Sequence, residues 1–259
     1  MSKIFDGVLL VSDIDGTFVD SDKKFISKNL EAVKYFTDNG GLFTFATGRF
    51  EHGKEIKAMG KYMNAPAICA NGASLYDFQN DELIYSIVID GSKIKDKLFK
   101  IKETYPDAVV RFTHSEKIVY IDDETPPIDR FDWYKVVIDY NNKALDCIRE
   151  DIETTYGDRY YYSKSEPHLF EILDKTATKG TMITYLRGYL NGKYNKKFKV
   201  YAIGDFENDI QMLRFADVAV CPENALPIVK AVCDTVVCHH DLGAVADLIY
   251  KIEKEIRHG

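Results

Sequence analysis

Val8-Leu9-Leu10-Val11-Ser12-Asp13-Ile14-Asp15-Gly16-Thr17 decides the fold. Four successive apolar residues suit a strand covered on both faces, as in a parallel sheet between layers of helices, because a half-exposed strand would alternate. The run stops at Ser12-Asp13, so two carboxylates two residues apart stand where the strand ends. Loops at the carboxyl ends of open parallel sheets splay into a crevice that takes ligands. Gly16 lets the chain turn away tightly and leaves both side chains free. A plain turn rich in Asp and Gly has the same composition without any chemistry. The rest of the chain has to decide between the two.

A helix is expected next, with Ser27 as its cap, Leu30, Val33, Tyr35 and Phe36 at helical spacing, and Asn39-Gly40-Gly41 as its end. The following strand, Leu42-Phe43-Thr44-Phe45-Ala46, closes on Thr47-Gly48-Arg49. A further helix and the short strand Ala67 to Ala70 then lead to Asn71-Gly72. From about Tyr85 to Asp174 the texture changes to alternating strands such as Lys117 to Ile121, helices rich in Lys and Glu, many tyrosines and a Pro126-Pro127 break. That interval is expected to be a separate α+β insert. After it the strand and helix rhythm returns, with a helix over Met182 to Leu190, the strand Lys199 to Ile203, Gly204-Asp205, a helix from about Asp209, and Val218-Ala219-Val220. The core is therefore discontinuous, with residues 1–84 and 175–259 flanking an insert at 85–174. The charged end KIEKEIRHG suits a solvated helix terminus.

Gly204-Asp205-Phe206-Glu207-Asn208-Asp209 repeats the opening arrangement, an apolar strand followed by carboxylates. Magnesium takes a few hard oxygen ligands and keeps waters and a substrate phosphate as the rest, and Asp13 with Asp205 could supply such a site. The same stretch also suits a simple turn and helix start, with Asp209 facing the helix dipole. Thr47-Gly48-Arg49 offers a hydroxyl, a flexible backbone and a guanidinium to phosphoryl oxygens. Lys179-Gly180 opens the helix after the insert, where an ammonium could neutralise both a phosphoryl group and an attacking carboxylate.

Taken together, Asp13 to Thr17, Thr47, Lys179 and Gly204 to Asp209 fall in the order of the haloacid dehalogenase superfamily, and the chain resembles that family nearly end to end. Thr47-Gly48-Arg49, Asn71-Gly72-Ala73 and Cys221-Pro222-Glu223-Asn224-Ala225 resemble its Cof-like branch, and the position of the insert resembles a type IIB cap. The resemblance implies an α/β fold, a Rossmann-like parallel-sheet core carrying an inserted α+β cap. It implies Asp13 as nucleophile through an aspartyl-phosphate, and Asp15 as acid for the leaving group and then base for water. Thr47, Gly48, Lys179 and Asn208 would hold the phosphoryl group. Magnesium would lie on the Asp13 carboxylate, the Asp15 main-chain carbonyl and Asp205, with Asp209 and Arg49 behind them. The activity implied is a magnesium-dependent phosphatase acting on a small phosphorylated metabolite such as a sugar phosphate. A phosphosugar mutase has the same motifs, and a phosphate-sensing module would keep the phosphorylated aspartate, which the presence of Asp15 disfavours.

A net charge of -7 and a pI near 5.4 argue against nucleic-acid binding, which needs clustered Lys and Arg. No run approaches the ~18 to 20 apolar residues of a membrane span. No export signal follows the first strand, and five scattered cysteines do not suggest disulfides, so a cytoplasmic protein is expected. Cys233, Cys238, His239 and His240 lack paired zinc spacing, and Val236-Val237 suits a core strand. Within the insert, Arg111, His114 and His168 are candidate substrate contacts, while Tyr160-Tyr161-Tyr162 suits the insert's own packing. Oligomeric state is not encoded in any of these features.

Overall fold

The computed structural model describes residues 3–114, 116–121 and 133–258. The Pro126-Pro127 break lies outside the described residues. Along the chain the elements are β1 (Val8–Ser12), α1 (Ser27–Asp38), β2 (Leu42–Phe45), α2 (Lys54–Met59), β3 (Ala67–Cys69), β4 (Ser74–Asp77) and β5 (Glu82–Ser86). There follow α3 (Lys95–Thr104), β6 (Val109–Thr113), β7 (Ile118–Tyr120), β8 (Lys135–Asp139), α4 (Ala144–Tyr156), β9 (Tyr160–Glu166) and β10 (Leu169–Asp174). The last group is α5 (Lys179–Tyr194), β11 (Lys199–Ile203), α6 (Ile210–Phe215), β12 (Val218–Pro222), α7 (Pro227–Lys230), β13 (Thr235–Val237) and α8 (Ala244–His258).

The apolar run at Val8 becomes an inner strand of a five-stranded parallel sheet of order β13-β12-β11-β1-β2. Side chains alternate across a strand, and here both faces are covered. Val8 and Leu10 of β1 join one apolar cluster with α1 and α8, through Ala32, Val33, Phe36, Val245, Leu248 and Ile252. Leu9 and Val11 join the other with α5 and α6, through Met182, Ile183, Leu186, Met212 and Leu213. The α/β reading of these segments is borne out.

Some local expectations are corrected. Ser27 is the first helical residue of α1 and caps nothing; the cap position is Ile26, with extended backbone and no side-chain bond. β3 joins β4 and β5 in a separate antiparallel sheet, tied to the end of β2 by the single bridge Ala46 to Ile68. Val236-Val237 lies on the edge strand β13, with Val236 exposed and only Val237 buried.

The middle of the chain forms an antiparallel sheet of order β7-β6-β8-β10-β9. Its apolar face packs on α3 and α4, where Val110, Phe112, Val136, Ile138 and Phe170 meet Leu98 and Ile148. Alternation sends Arg111, Thr113, Lys135, Val137 and Glu171 to the opposite face, and these line a pocket shared with the ends of β1 and β2. Tyr160 belongs to the apolar cluster, with Tyr162 packed against it, as expected of insert packing. Among the described residues no helix is long and apolar enough to cross a membrane.

Candidate functional site

Parallel register brings the sequence-distant motifs together. Ser12 of β1 pairs with Ile203 of β11, and the Asp13 N–H donates to the Ile203 carbonyl at 2.9 Å. Asp13 and Asp205 therefore emerge side by side at the carboxyl ends of adjacent strands. Gly16 has a φ of +76°, and a Cβ there would lie 2.3 Å from Asp205 Oδ2, so both the turn and the close approach require glycine. Thr17 donates its hydroxyl to Asp205 Oδ1 at 2.9 Å.

Lys179 is the first residue of α5 and its side chain is 0% exposed. Its ammonium donates to Asp13 Oδ1 and to Asp209 Oδ1, each at 2.6 Å. The other oxygen of Asp209 accepts the main-chain N–H groups of Asp205 at 2.9 Å and Phe206 at 3.2 Å. Asp209 thus ties the turn after β11 to Lys179. Burial opposes the charge on Lys179, but the Asp13 and Asp209 carboxylates outweigh it and hold its proton more tightly than usual. Burial, and then the neighbouring Asp209, push the Asp13 carboxyl well above the ordinary range against the pull of Lys179. Asp205 is raised to about 7 by burial first and Asp209 next, with the Thr17 hydrogen bond acting the other way. Carboxylate oxygens of Asp13, Asp205 and Asp209 lie within 4.8 Å of one another. Three buried acids answered by a single ammonium form a hard-oxygen, charge-deficient set, which fits a divalent cation such as magnesium.

Asp15 is part-exposed and is held by Arg49, whose Nη2 lies 3.0 Å from both carboxylate oxygens. Arg49 also reaches Glu55. Thr47 is buried, and its hydroxyl accepts the Arg49 N–H at 3.2 Å. Asp13, Asp15, Thr47, Gly48, Arg49 and Asn208 line one pocket of about 440 Å³. Arg111 lines it too. His114 and His168 do not: His114 meets the Trp133 ring edge-on, and His168 lies beside Asp139 and Glu166. Away from the pocket, His239, His240 and Asp241 form a second group with ligand atoms within 4.8 Å, and neither Cys233 nor Cys238 belongs to it. His240 Nδ1 meets the Val19 carbonyl at 2.7 Å and Asp241 accepts from Ser21, which accounts for both side chains structurally.

Sequence reasoning missed a buried polar bridge from the insert to these loops. Lys135 of β8 donates to the Gly48 carbonyl at 2.8 Å and to Glu171 of β10 at 2.9 Å, with both charged side chains buried. Glu171 also accepts from Ser165 and Asn71, and Asn208 donates to Asn71 Oδ1 at 3.0 Å. Nearby, Glu51 accepts from Ser74 and Tyr134, each at 2.8 Å. Burial would raise the Glu171 carboxyl, but Lys135 and the Ser165 and Asn71 hydrogen bonds bring it below its usual range. Removing one partner of such a pair leaves a buried bare charge. Lys135→Ala should therefore cost about 3–5 kcal/mol of stability, a fall of roughly 6–20 °C in melting temperature at this chain length. The double change Lys135→Met, Glu171→Leu should recover much of the loss. A loss under about 1 kcal/mol for Lys135→Ala in denaturant titration, typical of a solvated pair, would contradict the buried arrangement.

Comparison with known proteins is consistent along the chain. The family model described as haloacid dehalogenase-like hydrolase matches residues 10–129 and 108–249. A phosphoglycolate phosphatase from Sulfurisphaera tokodaii is 29% identical, over 94% of this chain and 93% of its own length. A 5-amino-6-(5-phospho-D-ribitylamino)uracil phosphatase from Bacillus subtilis is 26% identical, over 92% and 95% respectively. Among solved structures, a subclass IIB sugar phosphatase superposes with a TM-score of 0.78 at 18% identity, covering 95% of this chain and 99% of that one, a likeness of fold.

Proposed function

Because the chain belongs to the haloacid dehalogenase-like hydrolases, we propose that it is a magnesium-dependent phosphatase that dephosphorylates a small metabolite through an aspartyl-phosphate on Asp13. The observation that carries this reading is the Lys179 clamp, a fully buried ammonium on one oxygen of Asp13 and one of Asp209, with Asp13 itself lining the pocket. The small phosphomonoesters in the names of the two relatives support the substrate class.

In this reading a carboxylate oxygen of Asp13 attacks phosphorus while the bond to the leaving oxygen breaks and Asp15 gives that oxygen a proton. Asp15 then takes a proton from water, whose oxygen attacks the aspartyl-phosphate and restores Asp13. The Thr47 hydroxyl, the Gly48 backbone, Asn208 and Lys179 hold the phosphoryl oxygens, since phosphoryl transfer asks chiefly for position and charge neutralisation. Asp13, the Asp15 carbonyl and Asp205 would hold magnesium, whose positive charge would offset the negative charge of the phosphoryl group and of the acids around it. Arg49 keeps Asp15 in place through both carboxylate oxygens and must release one when Asp15 passes a proton.

The two roles of Asp15 provide the test. Asp15→Asn should lower kcat by roughly 10²- to 10⁴-fold on an alkyl phosphate, the usual range for a positioned acid or base. With an aryl phosphate, whose leaving group needs no proton, the first step should be spared and the second slowed. Acid-quenched Asp15→Asn should then carry a hydroxylamine-labile phosphoryl label approaching one per chain. Absence of label during turnover, together with equal losses on both esters, would remove the aspartyl-phosphate route.

A further inference from the structure

Most charges in the pocket are answered within the protein. Asp15 pairs with Arg49, Arg49 with Glu55, Lys135 with Glu171, Lys23 with Glu166, and Asp13 with Lys179. Two charged side chains of the lining, Arg111 and Lys54, have no ion-pair or hydrogen-bond partner among the described residues, and both are cations. Lys54 is exposed at the start of α2. Arg111 is half-buried on β6, one strand in from the sheet edge, between Tyr120 of β7 and Val137 of β8. The cation of Lys135 is close enough to feel its repulsion. Ile118, Val137 and Leu169 give the same pocket an apolar part.

A half-desolvated guanidinium without an acceptor gives up hydration and gains nothing in return until a ligand supplies one. Its rigid fork of donors matches a carboxylate or phosphate with two parallel hydrogen bonds. A neutral polyol would call for the opposite provision, free acceptors for its hydroxyl protons. The carboxylates of Glu55, Glu166 and Glu171 are already engaged by cations.

On the phosphatase reading above, we infer that Arg111 is an anion subsite for the leaving portion of the substrate. The substrate carries a second anionic group, a carboxylate or a further phosphate, beyond the phosphoryl group that Asp13 attacks. Lys54 adds positive charge from its exposed place in the same lining. Arg111 is then the side chain through which the insert selects among phosphate esters, while the ends of β1, β2 and β11 treat the phosphoryl group alike in all of them.

The experiment compares kcat/KM within two matched pairs, 3-phosphoglycerate against glycerol 3-phosphate and fructose 1,6-bisphosphate against fructose 6-phosphate, with p-nitrophenyl phosphate as reference. The first pair exchanges a carboxylate for a hydroxymethyl group, the second a phosphate for a hydroxyl, so the two sources of negative charge are separated. The wild type should favour the anionic member of at least one pair by about 10- to 100-fold, the range expected for a charge-assisted hydrogen bond. Arg111→Met should reduce that preference to within about threefold, chiefly through KM, and change p-nitrophenyl phosphate by less than about twofold. Arg111→Lys, which keeps the charge but not the fork, should fall between. Because Arg111 has no ion-pair or hydrogen-bond partner among the described residues, Arg111→Met should also melt at the wild-type temperature. A wild type that hydrolyses p-nitrophenyl phosphate but favours neither anionic member overturns the inference, and that comparison needs no variant. An Arg111→Met protein that slows both members of a pair by one factor overturns it too. Failure of the wild type on p-nitrophenyl phosphate itself would instead strike the phosphatase reading on which the inference rests.

Discussion

Asp13→Asn should reduce the turnover of every phosphate ester to the rate of buffer alone while the protein stays folded. An amide oxygen is not a nucleophile toward phosphorus, and losing a covalent nucleophile costs enzymes on the order of 10⁶-fold in kcat. The companion result is the direction of the stability change. Asp13 is buried and faces Asp209 and Asp205, and together these outweigh its attraction to Lys179 and make its ionised form unfavourable. Asn keeps an oxygen for the Lys179 hydrogen bond and removes the charge. In chelator the variant should therefore melt at or above the wild-type temperature, as expected where a site is arranged for chemistry at the expense of stability. Measurable turnover from folded Asp13→Asn would exclude Asp13 as the attacking group. A melting temperature well below that of the wild type would mean that the Lys179 pair stabilises more than the crowded carboxylates destabilise.

The parts of this site that could be seen in the sequence are those carried by strand ends. Val8 to Ser12 and Lys199 to Ile203 declare themselves as apolar runs, and a parallel sheet brings the loops after its strands to one side, so Asp13 and Asp205 could be placed together without coordinates. Lys135 and Glu171 could not. Each lies in a short, largely apolar strand, 87 residues from Gly48 and 100 from Asn71 respectively, with no motif around it. What makes them part of the site is the parity of β8 and β10, which sends them away from the insert's apolar cluster. The same parity brings Arg111 into the pocket. It could not place His114 or His168, which fall just past the end of β6 and in the turn before β10. The apparent cap at Ser27 failed for a local reason, since the chain enters α1 through the extended residue Ile26 and leaves Ser27 already helical.

Treatment with a chelator should likewise take activity to the buffer rate, and magnesium should restore it. The reason is a deficit of positive charge. Asp13, Asp205 and Asp209 have oxygens within 4.8 Å of one another and Lys179 as the ammonium between them. An incoming phosphoryl group adds further negative charge. The strain is already evident at Asp205, raised to about 7 chiefly by burial and then by Asp209. His and Cys are absent from this group, so hard cations that prefer oxygen are favoured over zinc or copper. Asp209 is least free to meet an ion, since one oxygen holds Lys179 and the other two main-chain N–H groups. On the proposed reading, that leaves Asp13 and Asp205 as the carboxylates that would hold the metal. Asp205→Ala should consequently remain inactive at magnesium concentrations that saturate the wild type. Metal binding has its own readout apart from catalysis. Magnesium at about 100 times its dissociation constant should stabilise the folded chain by about 2.7 kcal/mol, or roughly 5–11 °C in melting temperature, and Asp205→Ala should abolish that shift. Full activity in chelator, or an undiminished magnesium shift in Asp205→Ala, would show that the three acids serve the fold and not a metal.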